Sequence, residues 1–397
     1  MNNTPFVLDG IEKLFQQYKA EGSQDSVAKL REQMKSYDQW VRDTVVPKAR
    51  MDFRLPPEVY AFNLKQFGVE MSGAELAVIA RAAFTDIQAE MDKLGAHIAR
   101  KRGWKDPNYR AVIKELKKEQ LLGDAILPHY QQRLKQIEEV LKRENLVTVP
   151  ARAARIQLSS PAESAQQPAP NMRPPRLVGN TGEQGTFMLP LNNPAAASNS
   201  GKQGESDKYD DFTYEAASWT LTAHEARPGH EMQFAAMIEN GVSDARAVFA
   251  FNSTNVEGWG LYAEEIVLPY MPDEGKLISL TFRLMRAARA FLDPELQMGK
   301  VTPEGAYQIL REDVVLSHAM ATQEVQRYTF NRPGQATSYF NGYRQIVQLR
   351  RDVEKALGVK FNAMKFHDAI LAQGLLPPRL LRQAVMAELA AKPNKTP

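Results

Sequence analysis

A cluster of prolines in the middle of the chain constrains its folding more than any other feature. Eight of the 24 prolines lie between Pro150 and Pro194, among many Ser, Ala, Gly and Asn residues. Proline lacks the N–H that a helix needs, and its ring crowds the preceding turn, so a long helix cannot run through this part. The sequence therefore divides into an N-terminal helical region (1–147), a proline-rich connector (148–205) and a C-terminal helical region (206–397).

The two outer regions carry the periodicity of amphipathic helices. In SGAELAVIARAAFTDIQAEM (72–91), apolar residues recur at helical spacing. Ser72 followed three residues later by Glu75 is the pattern of a capping box at the start of this helix. A second helix is predicted within 130–145, and Gly241 is predicted to end another. These patterns predict a mainly α protein.

The connector is predicted to be irregular, with one short strand. Its first part, SSPAESAQQPAPNMRPP (159–175), is interpreted as an exposed connector. The stretch GTFMLPL (185–191) predicts a short strand, and Pro190 favours an edge position because it cannot donate to a neighbouring strand. The fold class is therefore mainly α with a small β or irregular element before the histidine-rich part of the chain.

The composition excludes several classes of function. The chain has no cysteine, which rules out disulfides, cysteine-ligated zinc and a thiol nucleophile. A net charge of +3 on 397 residues, without a basic stripe, argues against nucleic-acid binding. The chain has no apolar run of about 18 residues, so no transmembrane segment is predicted. No leader peptide is visible, so the sequence as it stands predicts a cytoplasmic protein; a missing leader would make it periplasmic or secreted. The oligomeric state stays open.

Two of the six histidines lie in TAHEARPGHEMQ (222–233). In the H-E-x-x-H pattern of zinc peptidases, both histidines face one ion from a single helix, and the adjacent glutamate reaches water instead of the metal. Here His224 and His230 are six residues apart, which is about 240° around a regular helix. The helix predicted from about residue 211 to 226 therefore cannot present both histidines if it continues straight.

The residues between the histidines change this conclusion. Pro228 lacks the N–H for a bond back to His224, and Gly229 permits unusual backbone dihedral angles. Together they predict a bulge or kink that returns His230 to the side of His224. The alternative is a proline-kinked helix with two unrelated histidines, and this stretch alone is compatible with both.

A second stretch, NVEGWGLYAEE (255–265), offers carboxylates for the same site. A hydrolytic zinc site needs three protein ligands and an open position for water. Glu257 is the candidate third ligand, although taken alone it would be better interpreted as a helix cap or a surface residue. Glu264 lies two turns later on the same helix face, where a carboxylate could orient a ligand histidine.

A third stretch, RYTFNRPGQATSYFNGYRQIVQLR, starts at Arg327 and predicts a helix beginning after Pro333. Tyr339 and Tyr343 are four residues apart on one face of this helix. A tyrosine hydroxyl near a metal can donate to the oxyanion of an attacked carbonyl. Arg327 or Arg344 could pair with a substrate carboxylate. Aromatic residues at this spacing are, taken singly, more often part of a core.

Together with FHDAILAQGLLPPRLL (366–381), these stretches resemble DUF885, a bacterial domain family of unknown function in the zincin-like metallopeptidase group. The family signature H-E-A-x-P-G-H-x-x-Q is matched from His224 to Gln233. Its E-G-W-A-x-Y-x-E segment is matched from Glu257 to Glu264. The segments R-Y…P-G-Q-A-x-S-Y-x-x-G and F-H-D…L-x-x-G-x-x-P follow in order, and the resemblance covers roughly residues 50 to 385.

The resemblance implies a zincin-like (gluzincin-type) helical metallopeptidase fold that holds one zinc ion. It implies that His224, His230 and Glu257 ligate the zinc, that Glu225 is the general base, and that Tyr339 is the transition-state tyrosine. The segment that begins at Glu257 also resembles V-E-A-P-S-x-x-L-E of thimet-type oligopeptidases, in which the first glutamate is the ligand.

The sequence departs from the family pattern at a few positions. Gly260 stands where alanine is usual, which we interpret as a minor change. Tyr343 stands where lysine is frequent, and Gln297 stands where many members have histidine, so both are expected to alter substrate contacts. The chain is also shorter at its N-terminus than members of the family usually are. His367, in the last motif, is expected to be a buried histidine with its hydrogen bonds satisfied.

The sequence therefore predicts a zinc-dependent metallopeptidase acting on a peptide substrate. Besides the catalytic and metal-ligand residues, the candidates for supporting or substrate contacts are Glu264, Tyr343, Arg327 and Arg344. One alternative is a zinc hydrolase acting on a non-peptide amide or ester. The other is a non-catalytic helical binding protein, for which a site with Glu225 turned away and no open coordination position would be expected.

Overall fold

The computed structural model describes residues 4–190 and 209–390, and this part of the chain is mainly helical with one small sheet. The α-helices are α1 (Thr4–Gln17), α2 (Ser23–Trp40), α3 (Pro57–Gln66), α4 (Gly73–Arg102), α5 (Tyr109–Leu116), α6 (Ile126–Arg143), α7 (Pro161–Gln166), α8 (Ala217–Leu221), α9 (His230–Asn240), α10 (Asp244–Phe249), α11 (Ser253–Val267), α12 (Asp273–Gln297), α13 (Pro303–Gln308), α14 (His318–Gln326), α15 (Thr337–Leu357), α16 (Ala363–Ala372) and α17 (Pro378–Ala390). The strands are β1 (Arg155–Leu158), β2 (Asn171–Arg173) and β3 (Thr186–Leu189). Single π-helical turns lie at Val41–Val45, Thr222–Ala226, Ile309–Asp313 and Arg327–Asn331, and short 3₁₀ turns at Val46–Lys48, Gly123–Ala125, Leu268–Tyr270 and Gly358–Lys360.

The long helix α4 begins at the predicted capping box. The Ser72 hydroxyl accepts from the Glu75 backbone N–H, and the Glu75 carboxylate accepts from the Ser72 N–H. The helix ends at Gly103, whose φ of 69° lies in the left-handed region that favours glycine. Leu76, Phe84 and other residues at helical spacing bury one face of α4 against the core, as the periodicity predicts.

Helix α12 runs through the centre of the protein. Its residues from Leu277 onward are almost all buried, and its most extensive packing partner is α4. A buried polar or charged side chain needs a partner within the protein. This helix carries the buried arginines Arg286 and Arg289, whose surroundings are described below.

Helices α11 and α15 cross in direct backbone contact. A Cβ atom added at Gly258 would lie 2.6 Å from the Gly342 Cα, and one added at Gly342 would lie 1.9 Å from the Thr254 carbonyl oxygen. Only glycine permits this approach at both positions. The crossing brings the helix that carries Glu257 next to the helix that carries Tyr339.

The three strands form one sheet in the order β1-β3-β2, with β3 parallel to β1 and antiparallel to β2. The predicted strand within 185–191 is therefore present, but its predicted edge position is wrong, because β3 is the central strand. Pro190 follows the last paired residue, Leu189, so its missing N–H interrupts no ladder bond. The end of the connector, residues 191–205, lies outside the described residues, as do residues 206–208.

The first part of the connector is packed and is not the exposed linker that its composition predicts. Within 159–175 the chain forms α7 and β2, and Ser164 and Pro170 are buried. A second capping box, between Ser160 and Glu163, starts α7 with Pro161 in its first turn, where proline is tolerated.

The start of the connector is anchored by the F-H-D motif near the C-terminus. The His367 imidazole contacts the Leu146 carbonyl at 2.7 Å and the Tyr262 hydroxyl at 3.0 Å. Asp368 accepts from both the backbone and the hydroxyl of Thr148. Burial lowers the pKa of His367 to about 4, so it is a neutral, satisfied core histidine, as expected.

No helix in the described part of the chain is long and apolar enough to cross a membrane.

Candidate metal centre

The helix that leads to the first histidine is shorter than the sequence predicts. It begins at Ala217 instead of about residue 211, and it continues beyond Leu221 as the π-helical turn Thr222–Ala226. His224 and Glu225 lie on this turn, and the next helix, α9, begins at His230. The predicted break between the two histidines is therefore present.

Pro228 and Gly229 form a tight connection across this break. The Arg227–Pro228 peptide bond is cis. A Cβ atom added at Gly229 would lie 1.8 Å from the His224 carbonyl oxygen, so the backbone passes where no side chain fits. The Trp259 indole N–H donates to the Pro228 carbonyl at 2.9 Å and fixes the connection against α11.

A buried arginine holds the other side of the connection. Arg227 donates to Glu231 at 2.8 Å, to Glu138 at 2.6 Å and to the backbone carbonyl of Arg152. Its side chain is almost completely buried, and two carboxylates balance its charge. The sequence pattern gave no indication of this anchor, because Glu138 lies on the distant helix α6.

The break places His224 and His230 side by side, with ring centroids 4.6 Å apart and ring planes at 81°. The Glu257 carboxylate, from α11, lies 3.7 Å from the His224 Nε2 and 3.5 Å from the His230 Nε2. One donor atom from each of these three residues lies within 4.8 Å of the others. The structure thus brings together the three predicted ligands.

This donor set is suited to a zinc ion. Ligand bonds of about 2.0–2.2 Å in a tetrahedral site put neighbouring donor atoms roughly 3.3–3.6 Å apart, which is close to both measured separations. Two imidazoles and one carboxylate occupy three of the four tetrahedral positions, so one position stays open. The three donors face the cavity described below.

Glu264 fixes the orientation of the first histidine. Its Oε1 lies 2.8 Å from the His224 Nδ1, and its Oε2 accepts from the Thr220 hydroxyl at 2.6 Å. With Nδ1 hydrogen-bonded to a carboxylate, Nε2 is the nitrogen directed at Glu257. Burial raises the pKa of Glu264, but Arg286 and His224 outweigh it, so the pKa is lower than usual and Glu264 is a charged acceptor.

Without a metal, the three ligands attract a proton. Burial lowers the pKa of His224, but hydrogen bonds with Glu257 and Glu264 outweigh it and raise the pKa to about 9. The pKa of Glu257 is well below its ordinary value, because the two histidines outweigh its burial. A cation is therefore favoured at this position, whether it is a proton shared with His224 or a metal ion.

Glu225 lies in the same cavity as the three ligands and is buried. Burial raises the pKa of its carboxyl, and the neighbouring histidines only partly oppose this. A carboxylate in the same cavity as the three ligands is placed to accept and return a proton. The side chain is thus not turned away, as a purely structural site would predict.

The cavity has a volume of about 410 Å³ and lies between the metal-ligand cluster, α12 and the start of α15. Tyr339 lines it, and its hydroxyl accepts from Arg327 at 3.0 Å. The guanidinium groups of Arg289 and Arg327 lie 4.6 and 5.3 Å from the centre of the Tyr339 ring. Two predicted candidates, Tyr339 and Arg327, are therefore in the cavity and in contact.

Two arginines and a glutamate that the sequence motifs do not indicate also line this cavity. Arg289 donates two hydrogen bonds to Glu324, at 2.6 and 2.7 Å. The Arg286 guanidinium lies 3.6 Å from the Glu264 carboxylate. Burial opposes ionisation of Glu324, but Arg289 and Arg327 outweigh it and lower its pKa to about 2. The signal that could have revealed the arginines is their three-residue spacing, at 283, 286 and 289, within one helix.

The other two predicted substrate contacts, Tyr343 and Arg344, do not line the cavity. The Tyr343 hydroxyl donates to Glu265 at 3.1 Å, and Arg344 packs on the Phe340 ring. Tyr339 and Tyr343 share a helix face, but residues four apart differ by 40° in direction around the helix axis. The two side chains therefore contact different neighbours.

Two departures from the family pattern have structural consequences. The Gln297 side chain accepts from the Leu55 N–H and donates to the Tyr328 carbonyl, so it joins backbone segments and lies outside the cavity. Gly260 is more important than expected, because a Cβ atom there would lie 2.7 Å from the His224 ring and 2.9 Å from the His230 ring.

A protein-family model matches nearly the whole chain. The model described as "Bacterial protein of unknown function (DUF885)" matches residues 4–385. The match confirms the resemblance to DUF885 and extends it toward the N-terminus, beyond the expected start near residue 50. No protein of curated function matches this sequence.

Two solved structures share the fold. A putative lipoprotein from Colwellia psychrerythraea is 23% identical with a TM-score of 0.76, over 96% of this chain and 63% of that protein. A putative lipoprotein of unknown function from Shewanella oneidensis is 20% identical with a TM-score of 0.73, over 94% of this chain and 69% of that protein. The chain thus spans slightly less than two thirds of the first protein, and at these identities the likeness shows the fold alone.

Proposed function

The chain belongs to the DUF885 family of bacterial proteins of unknown function, and on that premise we propose that it is a zinc-dependent metallopeptidase with a zincin-like, gluzincin-type helical fold. The observation that carries the proposal is the convergence of His224, His230 and Glu257 beside Glu225 in one cavity. Two imidazoles and a carboxylate with an open fourth position are the ligand set of hydrolytic zinc sites. A structural zinc site would instead fill all four positions with side chains.

A zinc ion held by these three residues would supply Lewis acidity, which polarises a carbonyl group and makes water a nucleophile at neutral pH. Glu225 takes the proton from the attacking water and passes it to the leaving amine, since its carboxylate lies in the same cavity as the three ligands. The Tyr339 hydroxyl donates to the oxyanion that develops on the attacked carbonyl. Glu264 holds His224 in the orientation that directs Nε2 toward the ion.

A peptide substrate is favoured by the wall of the cavity formed by β2. Among the described residues this strand is at the edge of the sheet, and two of its residues, Asn171 and Met172, line the cavity. The free edge of a strand offers backbone N–H and C=O groups at the spacing that an extended peptide needs for pairing. Such pairing favours peptides over small amides or esters without a main chain.

The test compares peptide hydrolysis by the zinc-loaded chain with that of its Glu225→Gln variant. A mixed library of short peptides serves as substrate, and new amino termini are quantified. We expect the variant to retain zinc and to lose about 10²–10⁴-fold in turnover, the usual contribution of a general base. Glu215→Gln, at an exposed glutamate at the start of α8, is the matched control and should behave as the parent chain. Full activity of Glu225→Gln, or zinc-loaded parent chain that cleaves no peptide, would contradict the proposal.

A further inference from the structure

Arg286 is a buried guanidinium with little to bind in the protein itself. Its side chain is about 7% exposed and lines the cavity. Within the described residues its Nε has no hydrogen-bond partner. One terminal nitrogen donates to the Phe282 carbonyl at 3.2 Å, and the other lies 3.6 Å from Glu264, beyond hydrogen-bond range. The terminal nitrogen near Glu264 therefore has donors left for a bound acceptor, which would remove the cost of leaving them unpaired.

The neighbouring arginines are already engaged, which distinguishes Arg286 from them. Arg289 is held by the bidentate contact with Glu324. Arg327 donates to Gln335 and to the Tyr339 hydroxyl. Among these three arginines, Arg286 is therefore the one that donates no hydrogen bond to a side chain within the described residues.

The charges that line the cavity favour an anionic ligand. Four arginines, the fourth being Arg332, and three glutamates, Glu225, Glu257 and Glu324, line it, and the carboxylate of Glu264 lies 3.6 Å from Arg286. These charges balance, so a divalent cation held by the two histidines and Glu257 would leave an excess of positive charge. In a cavity of about 410 Å³, this excess acts on a small ligand at short range.

From these observations we infer that Arg286 binds the free C-terminal carboxylate of the substrate, so that the enzyme removes residues from the C-terminus of short peptides. The inference rests on the proposed peptidase function. The position of Arg286 supports it, because the guanidinium contacts Glu264, which in turn contacts the ligand His224. A carboxylate held this close to the metal ligands belongs to a residue one or two positions beyond the scissile bond, since each extended residue spans about 3.3–3.6 Å. The planar guanidinium fork matches a carboxylate in geometry and charge.

A purely structural role for Arg286 makes a different prediction. If the guanidinium only neutralised Glu264, its removal would weaken metal binding and would affect all peptides equally. A carboxylate-binding role instead predicts discrimination between a peptide acid and the corresponding amide. The ratio of affinities for an acid and its amide therefore separates the two roles.

The experiment measures binding without turnover, in the zinc-loaded Glu225→Gln chain. The probes are N-acetylated dipeptides with aromatic, aliphatic and charged C-terminal residues, each as the free acid and as the C-terminal amide, titrated by calorimetry. We expect the acids to bind about 10- to 100-fold more tightly, the range for hydrogen bonds to a charged group. Arg286→Met should abolish the preference, and Arg286→Lys, which keeps the charge, should retain part of it. Arg344→Met is the matched control, because Arg344 lies outside the cavity.

Equal affinity for acid and amide in every pair, or an unchanged preference in Arg286→Met, would overturn the inference. Absence of binding by every probe would also overturn it. Failure of the proposed function would look different: the acids would bind preferentially, but the chain with Glu225 intact would hydrolyse none of them.

Discussion

The Nδ1 atom of His224 lies 2.8 Å from the Oε1 atom of Glu264, and both side chains are almost completely buried. This contact determines which nitrogen of the imidazole faces Glu257. The Thr220 hydroxyl and the Arg286 guanidinium approach the same carboxylate from other directions. The orientation of the first ligand thus depends on helices α8, α11 and α12 together.

The first prediction concerns this contact. Glu264→Gln should lower zinc affinity by about 10- to 100-fold, because a neutral amide holds the imidazole less firmly and makes it a poorer donor. Competition with a chromogenic chelator measures the affinity. Glu265→Gln changes the adjacent glutamate, which pairs with Arg283 and Tyr343 away from the cavity, and should leave the affinity as in the parent chain. Equal affinities in Glu264→Gln and Glu265→Gln would contradict this role of Glu264.

The second prediction concerns the Tyr339 hydroxyl. Tyr339→Phe should lower kcat by about 10²–10³-fold, the usual cost of removing one oxyanion donor, with zinc content and thermal stability close to those of the parent chain. Steady-state kinetics on the best library peptide, with metal analysis alongside, measures the effect. Tyr343→Phe is the control on the same helix, and its kcat should not change. A change in KM alone for Tyr339→Phe would mean that the tyrosine contacts substrate without stabilising the transition state.

The third prediction concerns Asp293, which joins α12 to the segment before α15. Its carboxyl accepts from the Gly334 N–H and from the Tyr60 hydroxyl, each at 2.9 Å. Burial outweighs these bonds and raises the pKa of Asp293 from 3.8 to about 7. Between these two values the folded chain holds a proton that the unfolded chain has lost. The contribution of Asp293 to stability is therefore complete below about pH 4 and is lost as the pH rises through 7.

This loss amounts to up to about 4 kcal/mol, at about 1.4 kcal/mol per pKa unit. Urea unfolding between pH 4 and 8 should show it as a decline of the free energy of unfolding that Asp293→Asn does not share. The difference between the two chains is the relevant quantity, since other carboxylates have their own pH dependence. Parallel curves for the two chains would show that Asp293 is ionised in the folded state at pH 5.

Local features of the fold could be predicted from the sequence, and pairings between distant segments could not. The Ser72–Glu75 capping box and the break at Pro228 and Gly229 depend on neighbouring residues, and both are present. The strand at 186–189 was predicted, but its central position depends on strands that lie far away in the sequence. An edge position was inferred from Pro190, which in fact follows the ladder.

The same division applies to the candidate site. The contact between His224 and Glu264 follows from helix periodicity once Glu257 is taken as the ligand. The positions of Arg286 and Arg289 in the cavity could not be predicted, because the burial of an arginine depends on the acceptor that it pairs with. The acceptor of Arg289, Glu324, comes from another helix. Glu225, His230 and Tyr339 lie where the motifs predicted, but their roles stay predictions until the metal is measured.

The most direct test of the account is the zinc content of the purified chain after zinc loading and dialysis, beside His230→Ala and the exposed-histidine control His97→Ala. The account predicts one zinc per chain in the parent and in His97→Ala, and none retained in His230→Ala. That result would mean that the break at Pro228 and Gly229 places the late histidine as a ligand. A parent chain that retains no zinc, or a His230→Ala chain that retains a full equivalent, would contradict the proposed metal centre.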